Sequence, residues 1–309
     1  MPPPMTTTAR WWFALKPMSW PKLLVPTLLG QSLGRASAPA LDWRGLAVGL
    51  AFTMGLLGCI VLLNDWGDRR VDAIKRRMFP DGCSPKTIPD GVLSARHVLL
   101  GGLLGCAVAL AVAALGQRWP GRPLLLLCAI GALSVFFAYT FAPLRLNYRG
   151  GGELLEALGV GAVLPWLQAY LQGGLPWHAS YTLLAGFILL SLASALASGL
   201  SDEQSDRAGG KRTITTMLGN RATRRGAEAC VALGATAWLV VGLAIPAVRW
   251  WSVLPPTALV LYHGLQLRAA SDRARTNAFA AQGLYKRLLH RAIWRGVTAL
   301  ALLLALGAG

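Results

Sequence analysis

Runs of mainly apolar residues, about 17 to 22 long, recur along this chain at 17–34, 45–64, 97–116, 123–142, 154–172, 181–200, 228–248, 252–267 and 289–308. A helix rises about 1.5 Å per residue, so runs of that length cross a hydrocarbon core about 30 Å thick. Lipid offers no partner to a backbone N–H or C=O, and such runs must therefore be helical. The expected fold is an all-α integral membrane protein with nine transmembrane helices. Pro17, Pro21 and Pro26 interrupt the first run, which membrane helices tolerate better than soluble ones. With 54% hydrophobic and 14% charged residues among 309, the composition excludes an ordinary soluble enzyme. No linker is long enough to divide the chain, so residues 1–309 read as a single membrane unit. Met1 to Arg10 shows no basic stretch leading into a short apolar one, and no cleavable signal peptide is expected.

A net charge of +17 raises the question of nucleic acid, but the placement of the charge argues against it. Of thirty Lys and Arg residues, only Arg35, Arg44, Arg118, Arg122 and Arg249 fall outside the N-terminus and the loops after the even-numbered spans. This is the positive-inside pattern. It predicts a cytoplasmic N-terminus, an outside C-terminus and no nucleic-acid partner. Trp43, Trp119, Trp177, Trp250 and Trp251 gather at the opposite ends of the spans, as an interfacial belt does. Cys59, Cys106, Cys128 and Cys230 lie in or at the ends of spans without CxxC spacing, and read as small buried hydrophobes.

Acid is scarce in the chain and unevenly placed. Five of thirteen Asp and Glu residues form two clusters, Asn64-Asp65-x-x-Asp68-x-x-x-Asp72 at the end of the second run and Asp202-x-x-x-Asp206 at the end of the sixth. Carboxylates three, four and seven apart share one helix face, so each cluster repels itself unless cations are present. Hard divalent ions completed by phosphate oxygens are the usual solution, with Mg2+ the first candidate. Both clusters end even-numbered spans and are expected on the cytoplasmic side, where they could meet across one cavity. A diphosphate carries about three negative charges, and five carboxylates add five, so two Mg2+ ions leave an excess that nearby Lys and Arg must balance. Arg69, Lys75 and Lys86 follow the first cluster, and Lys211 and Arg212 the second. They are placed to stabilise a departing diphosphate; the alternative role of basic residues there is headgroup anchoring. A carrier using cytoplasmic carboxylates as a cation site is a reading of another class, but it would place acids at the bilayer midplane.

The string NDWGDRRVDAI resembles the first aspartate-rich motif of the UbiA-type membrane prenyltransferases, and SDEQSDRAGGKRTITTMLG resembles the second. The resemblance covers nearly the whole chain. It implies an all-helical fold around a central cavity, Mg2+ dependence with two ions, an isoprenyl diphosphate donor, an aromatic acceptor and a membrane-lipid environment, in a bacterial inner membrane. By position, Asn64, Asp65, Asp68 and Asp72 would hold one Mg2+ and Asp202 and Asp206 the other. Asp68, Asp72, Asp202, Asp206 and Glu153 become the catalytic candidates, while Asn64, Arg69, Lys75, Lys86, Tyr139, Arg145, Lys211 and Arg212 become substrate contacts. Ala138 to Gly174, with Tyr139-Thr140 preceding Tyr148-Arg149-Gly150-Gly151-Gly152-Glu153, is similar to the 1,4-dihydroxy-2-naphthoate polyprenyltransferases of menaquinone biosynthesis. NDWGDRRVDAI with KTIPDGVLS is also similar to chlorophyll synthases, and a 4-hydroxybenzoate acceptor stays open.

The chain departs from the naphthoate pattern at Ser198-Gly199-Leu200-Ser201, and an insertion containing Phe79-Pro80-Asp81-Gly82 displaces Lys86-Thr87-Ile88-Pro89-Asp90-Gly91. Glu153 and Glu156 share a face at the start of the fifth run. They could orient an acceptor hydroxyl, or merely complement the helix dipole. His263 reads as a helix–helix contact and Gly105 as a close-packing position.

Overall fold

The computed structural model describes residues 5–83, 86–119 and 121–307; the ends of the N-terminal segment and of the last apolar run lie outside them. Among the described residues the chain is helical, with one isolated bridge between Arg149 and Arg212 and no strand. The α-helices are α1 (Thr7–Leu15), α2 (Pro21–Ala36), α3 (Trp43–Met78), α4 (Ala95–Gly116), α5 (Leu125–Thr140), α6 (Gly152–Leu158), α7 (Leu164–Gly173), α8 (Leu184–Gly199), α9 (Glu203–Ala208), α10 (Ile214–Leu218), α11 (Asn220–Ala244), α12 (Trp250–Ala270) and α13 (Phe279–Leu306). A π turn at Gly159–Val163 joins α6 to α7, and a 3₁₀ turn at Ala179–Leu183 leads into α8.

Helices occupy each of the apolar runs, and among the described residues six segments are long and apolar enough to cross a membrane: Trp43–Met78, Ala95–Gly116, Gly152–Gly173, Ala179–Gly199, Asn220–Ala244 and Phe279–Leu306. Leu125–Thr140 is apolar but shorter. Pro21 does not interrupt the first run as expected. It starts α2, where a missing N–H and a fixed φ suit the first turn, and only Pro26 lies inside the helix. Asp42 caps α3, accepting from the amides of Arg44 and Gly45, and Ser94 caps α4.

The 36 residues of α3 span about 54 Å, well beyond a hydrocarbon core. Asp65 to Met78 are therefore continuous helix beyond the length a hydrocarbon core needs. The second acidic cluster is not the end of a span either. After α8 stops at Gly199, Asp202 stands just before a separate short helix that carries Asp206, without a side-chain bond to that helix.

Two main apolar cores form, beside a third, smaller cluster of Ala14, Leu62, Leu93 and Val98. One gathers Phe187, Leu190, Trp238, Val260 and Leu289 from α8, α11, α12 and α13, and the other Phe52, Leu63, Ala109, Leu133 and Leu167 from α3, α4, α5 and α7. Between α2, α3 and α7, Gln31 donates to Gln168, which donates to Thr53 at 3.0 Å, while Thr53 and Thr27 lie 2.8 Å apart. A satisfied polar chain of this kind ties helices together where lipid supplies no competing partner. His263 bonds Gln266 at 3.0 Å and meets Arg295 of α13 at 3.4 Å, a helix–helix contact as expected.

Cys59 of α3 and Cys106 of α4 form a disulfide, so the reading of both as unpaired hydrophobes is corrected. Their 47-residue separation gives no motif, and only the packing of α3 on α4 brings them together. The same contact explains Gly105. A β-carbon there would lie 2.5 Å from the Cys59 amide nitrogen and 2.8 Å from the Gly55 carbonyl, backbone atoms that cannot swing aside. Gly105→Val is expected to lower stability by about 3 kcal/mol, read as a lower unfolding midpoint of the detergent-purified protein; an unchanged midpoint would contradict this packing.

Candidate active site

The two acidic clusters meet, and lysines join them. Lys75, on the face of α3 below the first cluster, pairs with Asp202 of the second. In return Lys211, beyond the second cluster, reaches Asp68 at 3.1 Å. Lys86 pairs with Asp72 at 2.6 Å, and Lys16 pairs with Asp65, which also accepts from the Thr87 hydroxyl at 2.7 Å. Every carboxylate of the first motif thus has its own ammonium, drawn from a different part of the chain.

That arrangement alters the expected geometry. Asp65, Asp68 and Asp72 do lie on one stretch of helix, but each is turned to a separate lysine, and among the described residues no three His, Cys, Asp or Glu side chains converge on a common metal position. The donor chemistry nevertheless suits a hard cation. All the candidate ligands are oxygen, and the amide oxygen of Asn64, one turn before Asp68, is buried without a partner.

The electrostatics follow from burial and these pairs. Burial alone would raise the Asp202 carboxyl, but Lys75, Lys86 and Lys211 outweigh it and hold the group below the usual carboxylate range. Burial would lower the Lys211 ammonium, yet Asp68 and Asp206 hold it well above the usual lysine range. Asp206 is 3% exposed and no ion pair reaches it among the described residues. Burial pushes its carboxyl up to about 7, a rise that Lys211 opposes and that the charges of Asp202 and Asp68 reinforce.

The stretch from Tyr139 to Glu156 was expected to serve the acceptor. Much of it instead packs on the two acidic motifs. The Arg212 amide donates to the Tyr148 carbonyl at 3.1 Å, and the Ile214 amide donates to Glu153 Oε1 at 2.7 Å. Glu153, 8% exposed, thereby fixes the start of α10 behind the second motif. Arg145 stacks its guanidinium 3.6 Å above the Tyr148 ring and reaches the Gly67 carbonyl at 3.5 Å. Lys211 Nζ lies 5.2 Å from the centre of the same ring, so two cations approach Tyr148. Burial and the nearby Asp68 charge raise its hydroxyl to about 12. Tyr139 lies within electrostatic range of Glu156, Lys211 and Asp68.

Two expected contacts are not part of this lattice. Arg69 folds back on its own helix, donating to the Trp66 carbonyl at 2.6 Å with its guanidinium 4.1 Å from the Trp66 ring. Arg212 contributes its backbone, while its side chain is exposed. Arg69→Ala and Arg212→Ala are therefore expected to change turnover less than about threefold, as for solvent-screened charges; a hundredfold loss in either, measured by steady-state kinetics, would put that residue back at the reacting groups.

Other contributors were not among the expected site residues. Lys16, Thr87 and Asn147 join the site from outside both motifs, and Asn147 donates to Asp68 at 3.5 Å. Lys22 of α2 reaches Glu156 at 3.3 Å and Ser198 at 3.2 Å, at the mouth of a cleft walled by Val160, Phe187, Ile293 and Trp294. This narrow cleft has about 30 Å³ of free space.

Comparison with known proteins matches this arrangement to a family. Chlorophyll synthase of Oryza sativa subsp. japonica is 25% identical over 66% of this chain and 54% of its own length, so the chain spans about half the length of that relative. Digeranylgeranylglyceryl phosphate synthase of Halobacterium salinarum is 28% identical over 84% of this chain and 83% of its own. The 1,4-dihydroxy-2-naphthoate octaprenyltransferase of Escherichia coli is 26% identical over 77% of each chain. In fold, the chain is similar to a UbiA homologue from Archaeoglobus fulgidus bound to DMAPP and Mg2+, with TM-score 0.68 at 19% identity over 94% of this chain and 99% of that one. With residues 23–289 matching the family's model and the fold agreeing, the chain belongs to the UbiA prenyltransferase family.

Proposed function

We propose that this integral membrane protein transfers an isoprenyl group from an isoprenyl diphosphate to an aromatic acceptor, 1,4-dihydroxy-2-naphthoate of menaquinone biosynthesis being the acceptor its sequence favours. The observation that carries the reading is the reciprocal pairing of Lys75 with Asp202 and Lys211 with Asp68, which builds one charged site from both motifs. Asn64, Asp65, Asp68 and Asp72 on one side, with Asp202 and Asp206 on the other, would hold two Mg2+ ions. When bound, Mg2+ supplies the positive charge that draws electrons toward the leaving diphosphate. Lys75, Lys86 and Lys211 then turn from carboxylate to phosphate oxygens and stabilise the departing anion. The allylic C1–O bond breaks with its electron pair leaving on the diphosphate, the C1 cation bonds an electron-rich ring carbon, and that carbon gives up its proton to restore the aromatic ring. Apolar walls such as Phe187 and Trp294 shield the cation from water. The cleft at Lys22 and Glu156 is where the acceptor would lie, since the stretch near Tyr148 is occupied with the donor half.

Positive-inside charge supports a cytoplasmic N-terminus and active site, an outside C-terminus and a plasma-membrane location, with residues 1–309 as one domain. The naphthoate reading is supported by the Tyr148 to Glu153 stretch and by the length of the Escherichia coli match. A tetrapyrrole acceptor is the second reading, favoured by the similarity to chlorophyll synthases.

The deciding experiment incubates the purified protein with an isoprenyl diphosphate and a panel of naphthoate, benzoate, tetrapyrrole and glyceryl phosphate acceptors, then identifies products by mass. A prenylated naphthoate is expected; exclusive prenylation of another acceptor overturns that assignment. The metal requirement should also depend on pH. Asp206, with its carboxyl near 7, must lose a proton to bind a cation. Its ionised fraction rises about tenfold between pH 6 and pH 8. The Mg2+ concentration for half-saturation should fall by that factor over this range and level off above it, as titration calorimetry would show; a flat profile would contradict it.

A further inference from the structure

We propose that Asn147 supplies a side-chain oxygen to the cation held at Asp68, completing with Asn64 a ligand set that joins α3 to the 146–148 turn. This rests on the reading of the first motif as a Mg2+ site, and it adds a ligand from outside both acidic motifs.

Asn147 is 2% exposed. Its amide nitrogen faces Asp68 Oδ1 at 3.5 Å and its amide oxygen is buried with no hydrogen-bond partner, so a half-turn of the amide is what presents that oxygen to a cation at Asp68. Asn64 repeats the situation: it lies four residues before Asp68, on the same face of α3, and its Oδ1 is likewise buried and partnerless. Proteins rarely keep buried acceptors unsatisfied unless a ligand or ion completes them. Two amide oxygens can be satisfied by a hydrogen-bond donor or by a cation, and the neighbouring carboxylate selects the cation. Carboxylate and amide carbonyl oxygens are the hard donors that Mg2+ takes.

The position is fixed as a ligand requires. Tyr148, the next residue, is held by Arg212 through its carbonyl and by Arg145 through its amide. A β-carbon on Gly152 would lie 2.7 Å from the Asn147 α-carbon, so α6 packs directly against the turn. Because Arg212 belongs to the loop after the second motif, a cation at Asn147 would also sense how the two motifs are docked.

The test uses Mn2+ alone, as a paramagnetic stand-in for Mg2+, titrated without diphosphate into the full chain in nanodiscs. Asn147→Leu should weaken Mn2+ binding about tenfold or more, within the 10–100-fold range for altered metal surroundings. Asn147→Asp should bind at least as tightly as the wild type, because a carboxylate can replace the amide oxygen as ligand. If Asn147→Leu does not fold, Asn147→Ala provides the same comparison. Wild-type affinity in Asn147→Leu or Asn147→Ala overturns the proposal. So does a loss in Asn147→Asp equal to that in Asn147→Leu, which would mean the amide only orients Asp68. Asp68→Asn in the same titration separates the two levels: if it abolishes binding while the Asn147 variants bind normally, the motif is a cation site and only the Asn147 assignment fails. Unaltered binding in Asp68→Asn removes the cation reading itself.

Discussion

Asp68→Ala and Asp202→Ala should each abolish product formation, a loss of at least about a thousandfold, while leaving a folded and extractable protein. Losing a group that stabilises transition-state charge typically costs 10²–10³ in turnover, and losing a metal ligand as well should exceed that. Asp68 lies in α3 and Asp202 just before α9, and each anchors a lysine belonging to the other motif. Either change therefore removes a proposed cation ligand and also releases a lysine meant for the diphosphate. Global stability should survive because both carboxylates keep part of their surface in solvent, with side-chain exposures of 15% and 35%, and neither belongs to an apolar core. Asp68→Asn and Asp202→Asn keep the side-chain shape and separate loss of charge from loss of volume. Full activity in both alanine variants, measured by radiolabelled transfer, would end the mechanism proposed above.

Lys75→Met and Lys211→Met should reduce turnover by about 10²–10³-fold, the range for removing one preorganised donor from developing charge. Both side chains are buried, with relative exposures of 7% and 11%, so solvent cannot replace the lost ammonium. The effect should have a second signature. Without Lys211, Asp68 becomes a part-buried carboxylate that has lost its ammonium, and the protein should melt at a lower temperature in EDTA but recover when Mg2+ is added. Arginine is not expected to rescue either position, because its planar fork differs from the compact ammonium that these contacts accommodate. Turnover above a tenth of wild type in both methionine variants, with no Mg2+-dependent recovery of melting, would place the two lysines outside the chemistry.

Arg69 and Lys75 show why neighbours in sequence part company in space. Both follow the first motif within one helix, yet the turn of α3 directs Lys75 to Asp202 and leaves Arg69 against Trp66. Arg212 and Lys211 divide the same way. One donates its backbone to Tyr148, while the other inserts its side chain beside Asp68. Proximity to a motif in the chain was thus a guide to charge balance but not to which side chain does the balancing.

The sequence by itself determined the helices and the acidic positions, because both are local properties. The length of an apolar run decides whether a helix can cross a bilayer, and carboxylate spacing decides which acids share its face. Tertiary structure decided everything that depends on how the helices dock. It brought Lys16, Thr87 and Asn147 to the carboxylates, joined Cys59 to Cys106, and turned Glu153 from an expected acceptor contact into the brace for Ile214. None of these partners has a periodicity to read. Each is a single residue whose role comes from the side chain it meets across a helix interface, and that meeting is set by close packing along the whole length of both helices.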